Sequence, residues 1–294
     1  MIKIFMLPSW TGDADHMRRL FIRQTPNCSG VWNGIKVAEK EEDADFLIQM
    51  DKPEKGLSCP EKTIYMNWEP PVKGGHYLCE DYDVFGRILM KDNPFPAMWF
   101  LDYTYDELKV MPPPKKNKKL SCVLSNKRKC KGHKIRHKFA KKMCEEFPKD
   151  FELYGSVRLL DEFREFNVKE ASSLTKLGKR GNFFDKTEPL KDYRYHLTME
   201  NCQYNNYFTE KVTDALLMWS LPIYWGCQNI YDFLPKGSMV IFDAEELKES
   251  KRVMEISNDE NLYYNSLEHI NVSRNLILDK YNFCNLIWEF INKI

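Results

Sequence analysis

Apolar residues in this chain fall in short alternating or continuous runs, broken by proline, glycine and charged clusters. That pattern predicts strands joined by helices rather than a helical bundle. In the first third, Ile2–Leu7, Asp45–Gln49, Lys62–Met66, Tyr82–Phe85 and Met98–Leu101 read as strands, with Pro70-Pro71 and Gly74-Gly75 as breaks between them. The proline-rich, basic stretch MPPPKKNKK (111–119) reads as a linker between two domains, or as a surface loop within one.

Beyond it the pattern becomes strand-then-helix. Leu120–Leu124 predicts a strand, 125–131 a polar loop, and 132–146 a basic amphipathic helix. Phe151–Tyr154 predicts another strand, ended by Gly155, and the charged region 158–189 has no clear period. Tyr193 opens a further strand, and a helix beginning near Thr209 carries Ala215, Leu216 and Trp219 as an apolar stripe before Pro222. Leu221–Trp225 and Met239–Phe242 predict strands, 244–254 a helix capped by Asp243, and 260–294 a largely helical tail. Helices that repeatedly follow strands imply a mostly parallel sheet and an α/β fold.

Composition narrows this picture only in part. The 294 residues can bury one substantial core or two smaller ones. A formal charge of +1, from 44 basic and 43 acidic residues, means that any attraction to phosphate is local. Nine scattered cysteines without a CxxC predict reduced thiols. No signal-peptide core and no bilayer-length apolar run is visible, so the expected location is cytoplasmic, soluble or peripheral.

The densest chemistry lies in 193–226, YRYHLTMENCQYNNYFTEKVTDALLMWSLPIYWG. Acid, base, amide and phenol groups gather there between a strand end and a helix start, where open α/β folds bind ligands. Amide groups at that helix start can hold an anion, and Lys211 adds a full charge. Glu210 beside it suits ribose or sugar hydroxyls, so the pair fits a ligand that is part anion and part polyol. Ordinary surface charge at a helix start remains open on these residues alone. Asn201 can donate and accept at once, Asn205-Asn206 favours a tight turn, and Gly226 marks a place where ligand or backbone excludes a side chain.

This block resembles the α-1,3/4-fucosyltransferase family, glycosyltransferase family 10. Its members carry a strand ending in Glu-Asn, a short loop, Tyr-x-Thr-Glu-Lys opening a helix, and a strand of the form Pro-x-x-x-Gly. The matching positions are Glu200, Asn201, Tyr207, Thr209, Glu210, Lys211, Pro222 and Gly226, about a tenth of the chain. More weakly, LSCVLSNKRKCKGHKIRHKF (120–139) is similar to the family's strand, Ser-Asn loop and arginine-bearing helix. YMNWEPP (65–71) resembles the segment that carries its catalytic base.

The resemblance implies a GT-B architecture of two Rossmann-like domains facing a cleft: 1–110 on the acceptor side, a linker at 111–119, a donor domain at 120–280, and a tail at 281–294 packing back on the first domain. It implies an inverting transfer of L-fucose from GDP-fucose to a glycan hydroxyl, with an N-acetylglucosamine-type acceptor and an α-1,3 linkage favoured. Glu69 would be the base, and Arg136 and Lys211 would stabilise the departing diphosphate. Glu210 would bind donor hydroxyls, while Asn201, Tyr207 and Ser125 would line the nucleotide site. No tightly bound metal is implied, although stimulation by a divalent ion stays open. Partners are a nucleotide sugar and an oligosaccharide or glycoconjugate.

Departures from the family pattern bear on this. This sequence shows no sign of the amino-terminal anchor and paired luminal cysteines of Golgi members or of the heptad-repeat tail of some bacterial ones, and by this reading it resembles the soluble or peripheral microbial and viral forms more. Met199 stands where an aromatic is frequent, which keeps another GDP-sugar open. A non-catalytic α/β protein is a further alternative. The basic helix with Lys115–Lys119 could face nucleic acid, yet near-neutral charge and the absence of any recognition-motif spacing argue against that partner. His133 and His137, four apart, read as solvated basic residues rather than metal ligands. A nucleotide-sugar dehydrogenase or epimerase would need a glycine-rich first turn, which IKIFMLPSWTG lacks.

Overall fold

The computed structural model describes residues 1–8, 13–50, 57–66, 84, 86–88, 98–155, 163–166, 168–170 and 186–294. They form two compact units: Met1–Met98 with Tyr103–Met111 and Leu278–Ile294, and Trp99–Asp102 with Pro112–Ile277. Each is built on a six-stranded sheet. The fold class is therefore the α/β pair of Rossmann-like, GT-B type that the sequence predicts.

In the first unit the strands are β1 (Ile2–Met6), β2 (Val31–Trp32), β3 (Ile35–Val37), β4 (Phe46–Met50), β5 (Thr63–Met66) and β6 (Gly86–Ile88). Their order is β2-β3-β1-β4-β5-β6, and only the β2–β3 pair is antiparallel. Parallel strands must be covered on both faces, and the runs are accordingly apolar, with Ile4, Met6, Leu47, Ile48, Ile64 and Tyr65 all buried. Helix α1 (Ala14–Arg23), capped by Asp13, contributes Met17, Leu20 and Phe21 to this core. Helix α2 (Tyr105–Val110) starts from a reciprocal Thr104–Glu107 capping box. The chain's last helix, Phe283–Ile291, packs on α1 through an edge-to-face Phe21–Phe283 contact and the Asn282 side-chain amide, which donates to the Gln24 carbonyl.

The second unit holds β7 (Lys118–Leu124), α3 (Lys131–Glu146), β8 (Phe151–Gly155), β9 (Lys169–Glu170), α4 (Glu188–Lys191) and β10 (Tyr193–Met199). It continues with α5 (Glu210–Leu217), β11 (Leu221–Trp225), β12 (Val240–Ile241), α6 (Glu249–Asn258) and α7 (Glu260–Asn275), so the last helix is α8. All pairings are parallel, in the order β12-β11-β10-β7-β8-β9. Every residue of β10, the strand beside β7 at the centre, is buried.

Several local expectations shift. Met98–Leu101 is not a strand, because the Phe100 N–H goes to the Asp214 carboxylate and its carbonyl accepts from the Lys186 N–H. Strand β7 starts at Lys118, inside the stretch read as linker, and Lys116 is buried with its Nζ donating to the Leu190 carbonyl and Ser220 Oγ. Burial pushes this ammonium down to about 7. Asp243 closes a local turn on the Glu245 N–H, and the helix after it begins only at Glu249. Helix α5 ends before Pro222, at a turn where Trp219 has φ +61°. Of the predicted strand 82–85 only Val84 is described, and 158–162, 167 and 171–185 of the charged region lie outside the described residues. No helix among the described residues is long and apolar enough to cross a membrane.

Candidate active site

The second sheet builds outward from β7 through β8 to β9, then resumes on the other side of β7 with β10, β11 and β12. The order thus reverses between β7 and β10, and ligands of open parallel sheets bind beyond the carboxyl ends of the strands at such a point. Ser125 follows β7 there, and Glu200-Asn201 follows β10. The amino ends of α3 and α5 belong to the loops that leave these strands.

Arg136 joins the two strand ends. Its Nη1 donates to Asn201 Oδ1 at 2.6 Å and to the Met199 carbonyl at 3.4 Å, and its Nη2 donates to Ser125 Oγ at 3.3 Å. Its Nε is buried without a protein acceptor. Burial lowers the guanidinium pKa, opposed by nearby Cys122 and Glu200. Helix α3 places Arg136 by lying with its first turn against Asn201. A Cβ on Gly132 would sit 1.9 Å from the Asn201 carbonyl oxygen, so only glycine allows the approach. Lys131, Lys134, Lys138 and Lys141 form the solvent side of the same helix.

Glu200 organises the start of α5. Fully buried, it accepts from the Thr209 N–H at 2.8 Å and the Thr209 hydroxyl at 2.7 Å. Burial raises its pKa, and Lys211, 3.5 Å away, opposes that. Thr209 caps the helix by accepting from the Lys211 N–H, and Lys211 Nζ reaches Thr209 Oγ1 at 3.0 Å. Gly226 is part of this lock. An added Cβ would meet Tyr224 Oη at 2.4 Å and Glu200 Cγ at 2.5 Å. The protein atoms nearest that Cβ belong to side chains and not to backbone, which corrects the backbone part of the expectation from sequence.

Glu210 lies in a second cluster. Its Oε1 is 3.0 Å from Lys186 Nζ and 3.3 Å from Lys211 Nζ, while Lys186 is also 3.6 Å from buried Asp214. Burial alone would raise the Glu210 pKa, but Lys186 and Lys211 together bring it well below the usual carboxylate range. Glu210 is therefore held ionised, as an acceptor for hydroxyl groups.

Arg136, Asn201 and Ser125 thus touch one another, and Glu210 and Lys211 meet at the head of α5. Tyr207 is buried, near enough to Arg136 to couple with its charge. Glu69 lies outside the described residues. The sequence reading missed Lys186, which sits at the end of the aperiodic charged region, and Asn229, which accepts from the Asn206 N–H and fixes the predicted Asn-Asn turn. His133 and His137 are not solvated: both are buried, and His137 Nε2 donates to the Ser125 carbonyl at 2.8 Å. Their helical spacing from Arg136 was the one available signal. No cluster of three or more His, Cys, Asp or Glu suited to a metal ion occurs among the described residues.

The profile of the glycosyltransferase family 10 (fucosyltransferase) C-terminal region matches residues 113–293. The chain belongs to this family. It is 37% identical over 70 residues to the α-(1,3)-fucosyltransferase FucT of Helicobacter pylori, a stretch covering 24% of this chain and 15% of that protein. It is 28% identical over 102 residues to α-(1,3)-fucosyltransferase B of Drosophila melanogaster, covering 33% and 23%. The chain thus spans less than a quarter of either relative in these alignments. A crystal structure of an α1,3-fucosyltransferase with GDP superposes with a TM-score of 0.49 at 17% identity, over 96% of this chain and 92% of that one.

Proposed function

We propose that this family 10 member transfers L-fucose from GDP-fucose to a hydroxyl of a glycan acceptor, with inversion and with α-1,3 linkage to an N-acetylglucosamine-type sugar. The observation that carries the reading is Arg136, tied to both strand ends at the reversal of sheet order, with Lys211 and Glu210 at the head of the neighbouring helix. A guanidinium suits two phosphate oxygens at once, and an ammonium supplies a compact point charge. Asn201 and Ser125 orient the guanidinium rather than meeting the ligand alone. Glu210, kept ionised by two lysines, accepts from ribose or fucose hydroxyls.

In the displacement, the acceptor oxygen attacks the anomeric carbon of β-linked fucose as the bond to the β-phosphate oxygen breaks. GDP leaves with that electron pair, its charge met by Arg136 and Lys211. The acceptor proton goes to a carboxylate, the role that the sequence resemblance gives Glu69. Met199 contributes its carbonyl to Arg136 and buries its side chain, so its substitution for an aromatic is a matter of packing.

The test is a transfer screen with GDP-fucose, GDP-mannose and UDP-galactose against lactose, N-acetyllactosamine and N-acetylglucosamine, read by mass and by NMR of the product anomer. An α-fucosylated product formed only from GDP-fucose is expected. Transfer from GDP-mannose alone, or retention of the β configuration, overturns the reading.

A further inference from the structure

Helix α3 carries a second buried polar group on the Arg136 side, His133, one turn earlier. The Cys130 N–H donates to His133 Nδ1 at 3.3 Å, so the proton of the neutral ring resides on Nε2. That Nε2–H is buried and has no well-aligned protein acceptor: the Asn201 side chain reaches the ring, but its Oδ1 already accepts from Arg136 Nη1 at 2.6 Å. Nε of Arg136 is likewise buried without a protein acceptor. Burial first, then the charges of Arg136, Lys127 and Lys211, push the imidazole down to about 4, with the Asn201 side chain opposing weakly. His133 is thus a neutral donor beside the cations assigned above to the diphosphate, at the amino end of a 16-residue helix whose dipole favours an anion at the same place.

An unmatched buried N–H is costly, and three neighbouring cations are a poor setting for it unless the common ligand is anionic. We propose that His133 is a further donor-site residue, giving its Nε2–H to a phosphate oxygen of the nucleotide as a neutral hydrogen-bond donor. This rests on the reading of Arg136 and Lys211 as the diphosphate site. It adds a directional contact from an uncharged donor, which helps to fix the rotation of the phosphate without bringing a further cation into the site. The competing account is that His133 serves only to accept the Cys130 N–H and close the first turn of α3.

Two amide substitutions separate these accounts. In His133→Asn the side-chain oxygen can replace Nδ1 as acceptor for Cys130, but nothing reaches the Nε2 position. In His133→Gln the amide nitrogen reaches the Nε2 position, and the Nδ1 acceptor is lost. Affinities for GDP and for inorganic pyrophosphate are measured by calorimetry at pH 7.5, with melting temperature as the control for folding. His133→Asn should melt near the wild type and lose roughly tenfold in affinity for both ligands, the effect of one hydrogen bond to a charged group. His133→Gln should melt lower and keep most of its affinity. Unchanged affinity in His133→Asn, or equal losses in both variants, overturns the proposal. Arg136→Ala and Lys211→Ala are run alongside: if they too bind GDP like the wild type, the diphosphate site itself has been misread, which is a different failure.

Discussion

The central strand of the donor unit contains a titratable group that should make the protein sensitive to acid. His196 lies in the middle of β10, buried, with Nδ1 2.8 Å from Ser121 Oγ. The Ser121 hydroxyl donates to the Pro189 carbonyl, so its oxygen must accept from Nδ1–H, and the ring is neutral. Burial, then Lys186 and Lys116, push its pKa down to about 3. An unfolded histidine titrates near 6.5. The unfolded chain therefore takes up the proton first as pH falls. Stability from this group is complete above about pH 6.5 and is lost progressively toward its folded pKa of about 3. At pH 5 the loss amounts to about 1.5 pH units at about 1.4 kcal/mol each, or about 2 kcal/mol.

The perturbation is His196→Asn, whose amide can still donate to Ser121 but does not titrate. The lost ring volume lowers stability by an amount that is the same at every pH, so the informative quantity is a difference of differences. Urea unfolding is followed by tryptophan fluorescence at pH 7.5 and pH 5.0 for both proteins. The wild type should lose about 2 kcal/mol more than the variant between the two pH values, a midpoint change on the order of 1 M for a unit of this size. Buried His133 and His137, each held near 4, steepen the acid response of both proteins equally and cancel. A stability gap between wild type and variant that is the same at both pH values would refute a neutral, desolvated His196.

Gly226→Ala should lower the melting temperature by several degrees, since the new methyl overlaps Tyr224 and Glu200, and overpacking of this kind costs about 1–3 kcal/mol. GDP affinity should fall with it, because Glu200 holds the head of α5, and calorimetry beside a thermal melt tests both. Lys186→Met leaves Asp214 buried without its cation, at a cost of about 3 kcal/mol, and much of this should return in the Lys186→Met/Asp214→Asn pair; additive losses in a denaturant series would count against the pairing. Glu69→Gln should reduce turnover while leaving GDP affinity nearly intact, whereas Lys211→Ala should weaken GDP binding by roughly tenfold or more. Equal losses of GDP affinity in the two variants would undo that division of roles.

How much of this was legible beforehand follows from what sequence patterns encode. The strand, loop, helix and strand of 193–226 could be read because each element is long enough to show its own period, and β10, α5 and β11 lie where expected. The joining of Ser125, Arg136 and Asn201 came from the family resemblance, because nothing local to residues 11 and 65 positions away from Arg136 predicts a contact. Hydrophobic periodicity reports which face of an element is apolar. It is blind to polar side chains buried by tertiary partners, so Lys116 read as linker, His133 as solvated, and Lys186 not at all. Asp243 misled for a related reason: a carboxylate that caps a helix and one that closes a turn have the same sequence signature.

The polar residues around the reversal of strand order divide by whether the protein satisfies them. Glu200, Thr209 and Tyr224 do so among themselves: Glu200 takes both Thr209 donors, Tyr224 Oη accepts the Cys227 N–H, and Gly226 leaves room for the Glu200 and Tyr224 side chains. Arg136 and His133 each retain a buried donor without a well-aligned protein acceptor. A closed set contributes to stability whether or not ligand is present, whereas leftover donors are a cost in the free protein that an anion can remove. Substitutions in the first set should therefore move the melting temperature of the free protein and its nucleotide affinity together. A substitution that removes only the leftover donor, as His133→Asn does, should leave the free protein near wild-type stability and reveal itself as a smaller rise in melting temperature on adding GDP.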